Sequence, residues 1–414
     1  MPPRLPPLAL AALLLAASAR ADDYETYAHD PQRTGLSASY LDPTSLTQTW
    51  TGTGYVKPII VGNTVYASNN SQVASFNLAN GQVNWSTTAA AGPIGYAGSL
   101  LVGSNYTVIN STVHPYLEIL SAATGAPLYS VNVPEGPNGQ ITIATDTTTS
   151  QPVAYVGDGR GDFTAVRLGP SYGTVLWTAT GLLAGSGLSS VLGDYVLFAN
   201  YQEYYAINRT SGAVNRFYSG GGVGGENYTP VVDATRNEFY INSRNTLTAY
   251  TVSGTTISQL WQITGAGIGN GAVALDPNGF LYSTDTGHLV KLDPATGHTL
   301  AMVTGTFANN SVPIVTANGI WNFGPGRGNA DQAVFIYSLA DLSLITKYTE
   351  LPNVSATTYN GISAVDETHF AFDEGPSSNN FIVSTGTILL PEPASLALLL
   401  FGSLPLLRPR PARR

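Results

Sequence analysis

The sequence lacks cysteine altogether, and charged residues make up only 10% of its 414 positions. Without cysteine the chain can form no disulfide, no thiol nucleophile and no thiolate metal site, so the fold must be held by burial and backbone pairing. Basic residues are scarcer than acidic ones, at 17 against 26. Because binding to a phosphate backbone requires clustered lysine and arginine, we expect no nucleic acid partner.

Residue patterns that usually carry chemistry are missing as well. No two of the five histidines have the i, i+4 spacing of a helical zinc site. The glycine-rich runs 220–225 and 265–271 are not followed by Lys-Ser or Lys-Thr, which favours loops over phosphate cradles. The acidic pair within 158–162 is typical of a hairpin tip. We therefore expect no metal site and identify no catalytic residues.

The first 21 residues have the layout of a secretory signal peptide. Arg4 precedes an apolar stretch over 8–17, and the small residues Ala19 and Ala21 complete an A-x-A cleavage pattern. We expect cleavage after Ala21, which would place the following residues outside the inner membrane.

The C-terminal residues 391–414 combine a proline turn, a short apolar run and a basic end. The run 394–407 is apolar on almost every side, yet it is shorter than the roughly 20 residues of a comfortable transmembrane helix. We expect transient or permanent membrane insertion, with the arginines on the cytoplasmic side. The residues that carry this pattern are Pro391, Glu392, Pro393, Arg408, Arg410, Arg413 and Arg414.

This order of features resembles the PEP-CTERM sorting signal of exported proteins in Gram-negative bacteria. The resemblance is confined to the C-terminal segment. It implies an exosortase-type processing protease as a partner. It also implies that the body of the chain lies in the periplasm, at the cell surface or outside the cell.

Between the two ends lies one predicted domain, residues 22–390, with a marked acidic surplus. Setting aside the six arginines of the two ends and Glu392 leaves 11 basic against 25 acidic residues, a net charge of −14. The chain also has 44 glycines and 23 tyrosines, which is typical of a fold rich in strands and turns.

An internal repeat organises this domain. Residues 57–86 predict four short strands joined by tight turns, and the pattern recurs about every 40 to 48 residues. Each fourth strand carries a large side chain, which we expect to fill the gap between neighbouring repeats. These positions are Trp50, Trp85, Tyr129, Trp177, Phe217, Trp261, Met302 and Tyr348.

Two fragments remain, and they complement each other. Residues 361–385 predict three strands, while 46–52 predict a lone fourth strand. Joined, they make an eighth unit that closes a ring of sheets and removes its open edges. The sequence therefore predicts an all-β, eight-bladed β-propeller of four-stranded antiparallel blades, the last closed by an N-terminal strand. A seven-bladed ring is the alternative.

The repeat resembles that of PQQ-like β-propellers, which quinoprotein alcohol dehydrogenases share with outer-membrane assembly scaffolds. Residues 65–85 and 289–302 carry the resemblance, and 29–35 resemble the lead-in of such propellers. In the dehydrogenases PQQ lies against a vicinal disulfide, with calcium bound nearby by acidic and amide side chains. Since this chain has no cysteine and no assignable calcium ligands, we expect no PQQ and no other cofactor.

These patterns favour a non-catalytic, monomeric propeller that binds an envelope protein or an extracellular polysaccharide, at the cell surface or in the exopolysaccharide matrix. One alternative is an envelope enzyme using the propeller axis, either a degenerate quinoprotein dehydrogenase or a polysaccharide-acting enzyme. That function would require converging carboxylates or a histidine with a perturbed pKa. A lipid-anchored assembly scaffold is a further alternative, although the chain lacks the N-terminal cysteine that carries such an anchor.

Overall fold

The computed structural model describes residues 30–388 with interruptions, and its regular structure is entirely β. The residues left out within this span are 110–111, 135–140, 159, 183–188, 200–202, 220–228, 244, 270, 272, 306, 308–311, 325–332, 350–361, 366–367 and 374–379. The predicted signal peptide, with Ala19 and Ala21, and the predicted sorting segment 391–414 lie outside the described residues. Among the residues described, no helix has the length and apolar character needed to cross a membrane.

Thirty-two strands form eight antiparallel sheets of four, which are the eight blades of a β-propeller. Blade one consists of β2 (Val56–Val61), β3 (Thr64–Ser68), β4 (Val73–Asn77) and β5 (Val83–Thr87), and blade two consists of β6 (Ala91–Ala97), β7 (Leu100–Ile109), β8 (Thr112–Ser121) and β9 (Pro127–Asn132). Blade three consists of β10 (Thr142–Thr145), β11 (Pro152–Gly157), β12 (Phe163–Leu168) and β13 (Gly173–Ala179), and blade four consists of β14 (Ser189–Leu192), β15 (Tyr195–Ala199), β16 (Glu203–Asn208) and β17 (Val214–Ser219). Blade five consists of β18 (Val231–Asp233), β19 (Glu238–Ser243), β20 (Thr246–Ser253) and β21 (Thr256–Thr264), and blade six consists of β22 (Ala274–Leu275), β23 (Leu281–Thr284), β24 (His288–Leu292) and β25 (Thr299–Thr304). Blade seven consists of β26 (Ile314–Thr316), β27 (Gly319–Phe323), β28 (Val334–Tyr337) and β29 (Leu344–Tyr348), and blade eight consists of β30 (Ile362–Val365), β31 (His369–Asp373), β32 (Asn380–Thr385) and β1 (Thr47–Thr53).

The first blade shows how the local sequence sets these strands. Its turns contain Gly62 and Gly81 at φ angles of 53° and 70°, which glycine adopts without a Cβ clash. Residues of β3 and β4 are nearly all buried, because a neighbouring blade covers each face of the sheet. In β5 exposed and partly buried residues alternate along most of the strand, as expected at the outer edge.

The first strands form the centre of the ring and the fourth strands form its rim. First strands of neighbouring blades contact each other, as β14 contacts both β10 and β18. All four residues of β14 are buried, whereas exposure alternates along β21. The hydrophobic core is therefore a series of clusters between blades. In one of them Phe163 of blade three packs on Phe198 of blade four, with ring centroids 4.8 Å apart.

The ring is closed by the N-terminal strand, which confirms the predicted eight-bladed fold over the seven-bladed alternative. β1 is the fourth strand of blade eight and pairs antiparallel with β32, from Thr47 opposite Thr385 to Thr53 opposite Asn380. Its Trp50 packs against Phe76 of blade one and Phe381 of its own blade. The first and last strands along the chain thus pair in one sheet.

Neighbouring blades are also joined by hydrogen bonds that we call inter-blade latches. In each latch a side chain donates to a carbonyl in the turn between the third and fourth strands of the next blade. Four latches use the indole N–H of a fourth-strand tryptophan, at 2.8–3.0 Å from the carbonyl oxygen. They join Trp50 to Leu78, Trp85 to Ala122, Trp177 to Arg209 and Trp261 to Pro294.

The remaining turns of this kind, in blades three, five and seven, have different donors. They join Tyr129 Oη to Gly169 at 2.6 Å, Tyr195 Oη to Gly254 at 3.0 Å and Lys291 Nζ to Leu339 at 2.8 Å. Every third-to-fourth-strand turn in blades one to seven therefore accepts a latch from the preceding blade.

A glycine beneath each indole ring makes the tryptophan latches possible. A Cβ placed on it would lie 2.3–2.8 Å from the ring, closer than real Cβ contacts. Each of these glycines also has a φ angle between 69° and 72°. The pairs are Gly81 with Trp50, Gly125 with Trp85, Gly212 with Trp177 and Gly297 with Trp261. Each of these turn glycines thus packs beneath the tryptophan of the preceding blade.

Two further residues of the predicted packing set also contact the following blade. Phe217 packs on Phe239 and Tyr250, with ring centroids 5.5 and 5.3 Å away. Tyr348 packs edge-on to Phe370, and its hydroxyl lies 2.7 Å from Ser384 Oγ.

The structure differs from the expectation at Met302, which is 53% exposed. Ala301, not Met302, occupies the position equivalent to a latch tryptophan, because it pairs with Lys291 beside the bulge as Trp261 pairs with Ala249 in blade five. Ala301 and Val303 pack toward blade seven. Because strand side chains alternate between faces, Met302 between them points toward solvent.

Candidate functional site

An extended segment, residues 30–42, runs along the inner edges of blades four to eight, and we call it the strap. Its carbonyl oxygens accept hydrogen bonds of 2.8–3.0 Å from first-strand N–H groups of four successive blades. The pairs are Val191 with Pro31, Val232 with Gln32, Leu275 with Thr34 and Val315 with Gly35. The strap therefore satisfies inner-edge donors that would otherwise face the axis unpaired. Its end is bridged to the last blade through Leu41 and Ile388.

Arg33 anchors the beginning of the strap. The residue is only 1% exposed, although arginine is seldom buried so fully. Its Nε donates to the Ser189 carbonyl at 3.1 Å, and its Nη2 donates to Thr142 Oγ1 at 2.7 Å. These acceptors belong to the first strands of blades four and three, so the guanidinium group ties the strap to two blades. A buried cation requires such acceptors to offset its lost hydration.

A cavity of about 440 Å³ opens between the strap and the turns that join the first two strands of blades five and six. Val232 and Leu275 contribute buried apolar surface, whereas Thr235 and Asn278 on the two turns are exposed. Three carboxylates line the cavity, those of Asp30, Asp233 and Asp276. Its volume falls in the usual range of about 300–1,000 Å³ for small-molecule sites.

Asp276 holds the cavity turn of blade six. Its Oδ1 accepts the N–H groups of Asn278 and Phe280 at 2.8 and 3.0 Å. Its Oδ2 accepts the hydroxyl of Tyr282 at 3.0 Å. Burial, together with the charge of Asp276, raises the pKa of Tyr282 far above its usual value, so the phenol stays a donor. Both oxygens of this carboxylate are engaged within the blade.

Asp233 holds the equivalent turn in blade five. Its Oδ1 accepts the N–H groups of Thr235 and Arg236 at 3.0 and 3.1 Å. The Arg236 side chain turns to Glu238, with Nε 2.9 Å from Oε2. Burial and the hydrogen bond to Glu238 raise the pKa of Tyr240 far above its usual value. The cavity therefore has a negative wall, and its one arginine is already paired with a carboxylate.

A second polar cluster lies at the turn between the second and third strands of blade six. Asp285 accepts the N–H groups of Gly267, Gly287 and His288 at 2.6 Å each. Burial opposes ionisation of Asp285, but these donors outweigh it and lower its pKa. The Nδ1 atom of His288 lies 3.0 and 3.1 Å from the two carboxylate oxygens. The pair is a carboxylate-oriented imidazole, partly open to solvent.

The other polar residues noted in the sequence do not join these clusters. Asp158 Oδ1 accepts the N–H groups of Arg160, Gly161 and Asp162, which makes 158–162 a self-capped hairpin tip. His288 and His298 lie at opposite ends of the β24–β25 hairpin. Within the described ranges no three histidine or acidic side chains are grouped to hold a metal ion.

The residues predicted for sorting and cleavage lie outside the described ranges, and the predicted packing residues do not line the cavity. Sequence reasoning missed the cavity acids. A signal for two of them existed: Asp233 and Asp276 lie at or directly after the end of a first strand and cap the next turn, as Asp146 does in blade three. Their approach to Asp30 has no local signal.

Comparison with known proteins gives one family match. The family described as "Outer membrane protein assembly factor BamB" matches residues 97–300, which cover most of blades two to six. No curated protein sequence matches the chain.

Several solved structures share the fold at low sequence identity. BamB from Moraxella catarrhalis is 15% identical, with a TM-score of 0.55, over 82% of this chain and 99% of that one. A europium-containing methanol dehydrogenase is 12% identical, with a TM-score of 0.61, over 87% and 89%. Quinohemoprotein alcohol dehydrogenase from Comamonas testosteroni is 12% identical, with a TM-score of 0.60, over 92% and 83%. At such identities the likeness shows the fold alone. The eight four-stranded blades make this chain an eight-bladed β-propeller, and residues 97–300, through the middle of the ring, match the BamB family model.

Proposed function

We propose that the protein is an exported, non-catalytic β-propeller that binds a polysaccharide or envelope protein, at the cell surface or in the exopolysaccharide matrix. The observation that carries the proposal is the engagement of the cavity carboxylates. Asp233 and Asp276 hold their own turns through Oδ1, so they shape a recessed polar surface instead of converging on a reacting atom. Such a surface suits recognition of a polar ligand.

Export and sorting form the second part of the proposal. A signal peptide cleaved after Ala21 delivers the body across the inner membrane, and residues 391–414 insert there until an exosortase-type protease processes them. The match to an outer membrane protein assembly factor supports an envelope location. The acidic surplus of the body, 25 acidic against 11 basic residues, suits partners that are neutral or cationic.

We propose no cofactor. The quinone site that the sequence resemblance implies includes a disulfide, and this chain contains no cysteine. The residues present therefore do not fit PQQ in that arrangement.

The test of export and binding has two parts. The full chain and a variant with Pro391, Glu392 and Pro393 all changed to alanine are expressed in a Gram-negative host that carries an exosortase, and both are followed by cell fractionation. We expect the variant to remain in the inner membrane while the natural sequence reaches the surface or medium. The released protein is then applied to a glycan array and to envelope extracts. Identical fractionation, or no retention of any ligand, would contradict the proposal.

An enzymatic role has one observation in its favour, the Asp285–His288 pair. A carboxylate that orients an imidazole is the arrangement used for general base catalysis. If the pair acts on a polysaccharide, the protein should release reducing ends from exopolysaccharide, and His288→Ala should abolish that release. A protein that binds exopolysaccharide and leaves its chain length unchanged would dismiss this second function.

A further inference from the structure

We propose that the cavity beside the strap binds the free amine of an amino sugar, a step that rests on the proposed binding function and names its ligand. The chemical group recognised is a primary ammonium, carried by a sugar ring whose hydroxyls meet the polar walls.

Asp233 supplies a carboxylate oxygen that the cavity can offer to a ligand. The residue is 8% exposed, and its only hydrogen bonds run from the N–H groups of Thr235 and Arg236 to Oδ1. Its second oxygen, Oδ2, therefore has no hydrogen-bond partner among the described residues, although it belongs to a buried side chain that lines the cavity. A ligand N–H placed in the cavity would form a charge-assisted hydrogen bond with this oxygen.

Gly279 keeps the space beside this oxygen open. A Cβ added to Gly279 would lie 3.3 Å from Asp233 Oδ2, and the residue has a φ angle of 82°. Glycine therefore suits both the backbone of the turn and the free approach to the carboxylate. Asp276 on the same turn is fully engaged, so Asp233 is the acceptor that the cavity offers.

The charge of the walls selects a cation. Asp30, Asp233 and Asp276 line the cavity, and its single guanidinium, on Arg236, is paired with Glu238. A neutral or anionic ligand would leave this negative wall uncompensated, whereas an ammonium both donates to Oδ2 and balances charge.

The polar side chains of the walls favour a sugar over an alkyl amine. Gln32 and Thr34 project from the strap, and Thr235 and Asn278 project from the two turns. An alkyl stem makes no use of these amides and hydroxyls, while sugar hydroxyls can pair with them and the ring can lie on the apolar surface of Leu275. The cavity of about 440 Å³ is also wider than a narrow alkyl slot requires.

The experiment compares chitosan hexamer, which carries free amines, with its fully N-acetylated counterpart, by calorimetry on the full mature protein. Asp233→Asn is the test variant, because its remaining carbonyl oxygen still caps the turn while the charge and the free acceptor are lost. Asp293→Asn is the matched control: Asp293 caps a turn through Oδ1 in the same way but does not line the cavity. Thermal melts establish that both variants are folded.

We expect the protein to bind chitosan hexamer at least about tenfold more tightly than the acetylated hexamer, the value of one charge-assisted hydrogen bond. Asp233→Asn should abolish this preference, and Asp293→Asn should keep it. Equal binding of chitosan hexamer by Asp233→Asn and the natural protein would overturn the inference while leaving the binding function intact. Cadaverine bound as tightly as the hexamer would overturn the sugar as the ligand. Failure to bind any glycan or envelope component would instead contradict the proposed function itself.

Discussion

Trp177 and Lys291 each donate a hydrogen bond to the turn of the following blade, but from different strands and with different neighbours. Trp177 lies in β13, a fourth strand, and its ring packs over Gly212. Lys291 lies in β24, a third strand, with its ammonium nitrogen 4.3 Å from the ring centroid of Phe280. In both interfaces a carbonyl oxygen in the turn between the third and fourth strands of the next blade accepts a hydrogen bond. The residue that donates this hydrogen bond differs.

The difference explains why the repeat looks irregular at the sixth blade. With Ala301 where other blades place an indole, the fourth strand there can supply no donor. The interface instead contains Phe307 and Tyr337, with ring centroids 6.0 Å apart, and the Lys291 latch. An interface between blades thus needs large side chains that fill the space between the sheets and a donor to the turn carbonyl. Separate residues can supply the two.

The most severe test removes the closure that both kinds of interface depend on. Deleting residues 22–52 takes away the strap and all of β1 except Thr53, so blade eight loses its fourth strand and the Trp50 contact with blade one. We expect loss of the cooperative thermal transition, measured by calorimetry. Deleting only residues 22–29 is the control and should leave the transition in place. A melting curve unchanged by the longer deletion would contradict closure by β1.

Trp177→Ala breaks one tryptophan latch. We expect a loss of about 3–5 kcal/mol in the free energy of unfolding, as for other large-to-small changes in cores, because both ring packing and the bond to the Arg209 carbonyl disappear. Urea denaturation measures it. Trp177→Phe separates the two contributions, since it keeps most of the packing. If it costs as much as alanine, the hydrogen bond dominates.

Gly125→Ala tests the close approach of turn and ring from the other side. The added methyl would lie 2.3 Å from the ring of Trp85, at a φ angle of 69°. We expect about 1–3 kcal/mol of destabilisation, from backbone strain and displacement of the ring. Gly98→Ala is the matched control, because Gly98 has a similar φ of 63° but no atom within 4 Å of the added Cβ. Equal losses at both positions would attribute the effect to the backbone alone.

Lys291→Met probes the other kind of latch. The substitution keeps an unbranched side chain but removes the donor to Leu339, so we expect a loss of about 1–2 kcal/mol. Chemical denaturation gives the value. Lys347→Met, at an exposed position of β29, controls for the loss of a positive charge. Similar small effects at both lysines would show that the Lys291 bond contributes little.

Met302→Ala should have the smallest effect, within about 0.5 kcal/mol, because the side chain faces solvent. Val303→Ala, one residue further along β25, should cost more because Val303 packs against blade seven. The same denaturation assay compares them. A reversed order would restore Met302 to the interface between blades.

Much of the fold could be predicted because each blade repeats the same local rules. In blade one the third strand was expected at 73–77 and forms there as β4, and the lone strand ending near Trp50 closes the ring as β1. Gly62 and Gly81 set turns whose chemistry is visible in the sequence. Repetition turned weak local signals into a consistent pattern.

Features that depend on a replaced side chain or on distant segments were not predicted. In blade six Ala301 follows Gly297 at the spacing at which Trp85 follows Gly81, but the expectation rested on side-chain size and therefore fell on Met302. Lys291 gives no sign in the sequence that it replaces an indole. The cavity joins Asp30 to Asp233 and Asp276, which are remote in sequence and meet only because the strap follows the inner edges of the ring.

Closure by β1 also determines when the molecule can be completed. Thr49 and Thr385, whose hydroxyls meet across the β1–β32 pair, are 336 residues apart along the chain. Contacts of such long range form late and slow the folding of β proteins. A nascent or translocating chain can therefore stack blades one to seven while the outer faces of blades one and seven stay uncovered, until β32 arrives and blade eight forms. Those two faces are the surfaces that a holding chaperone would have to shield.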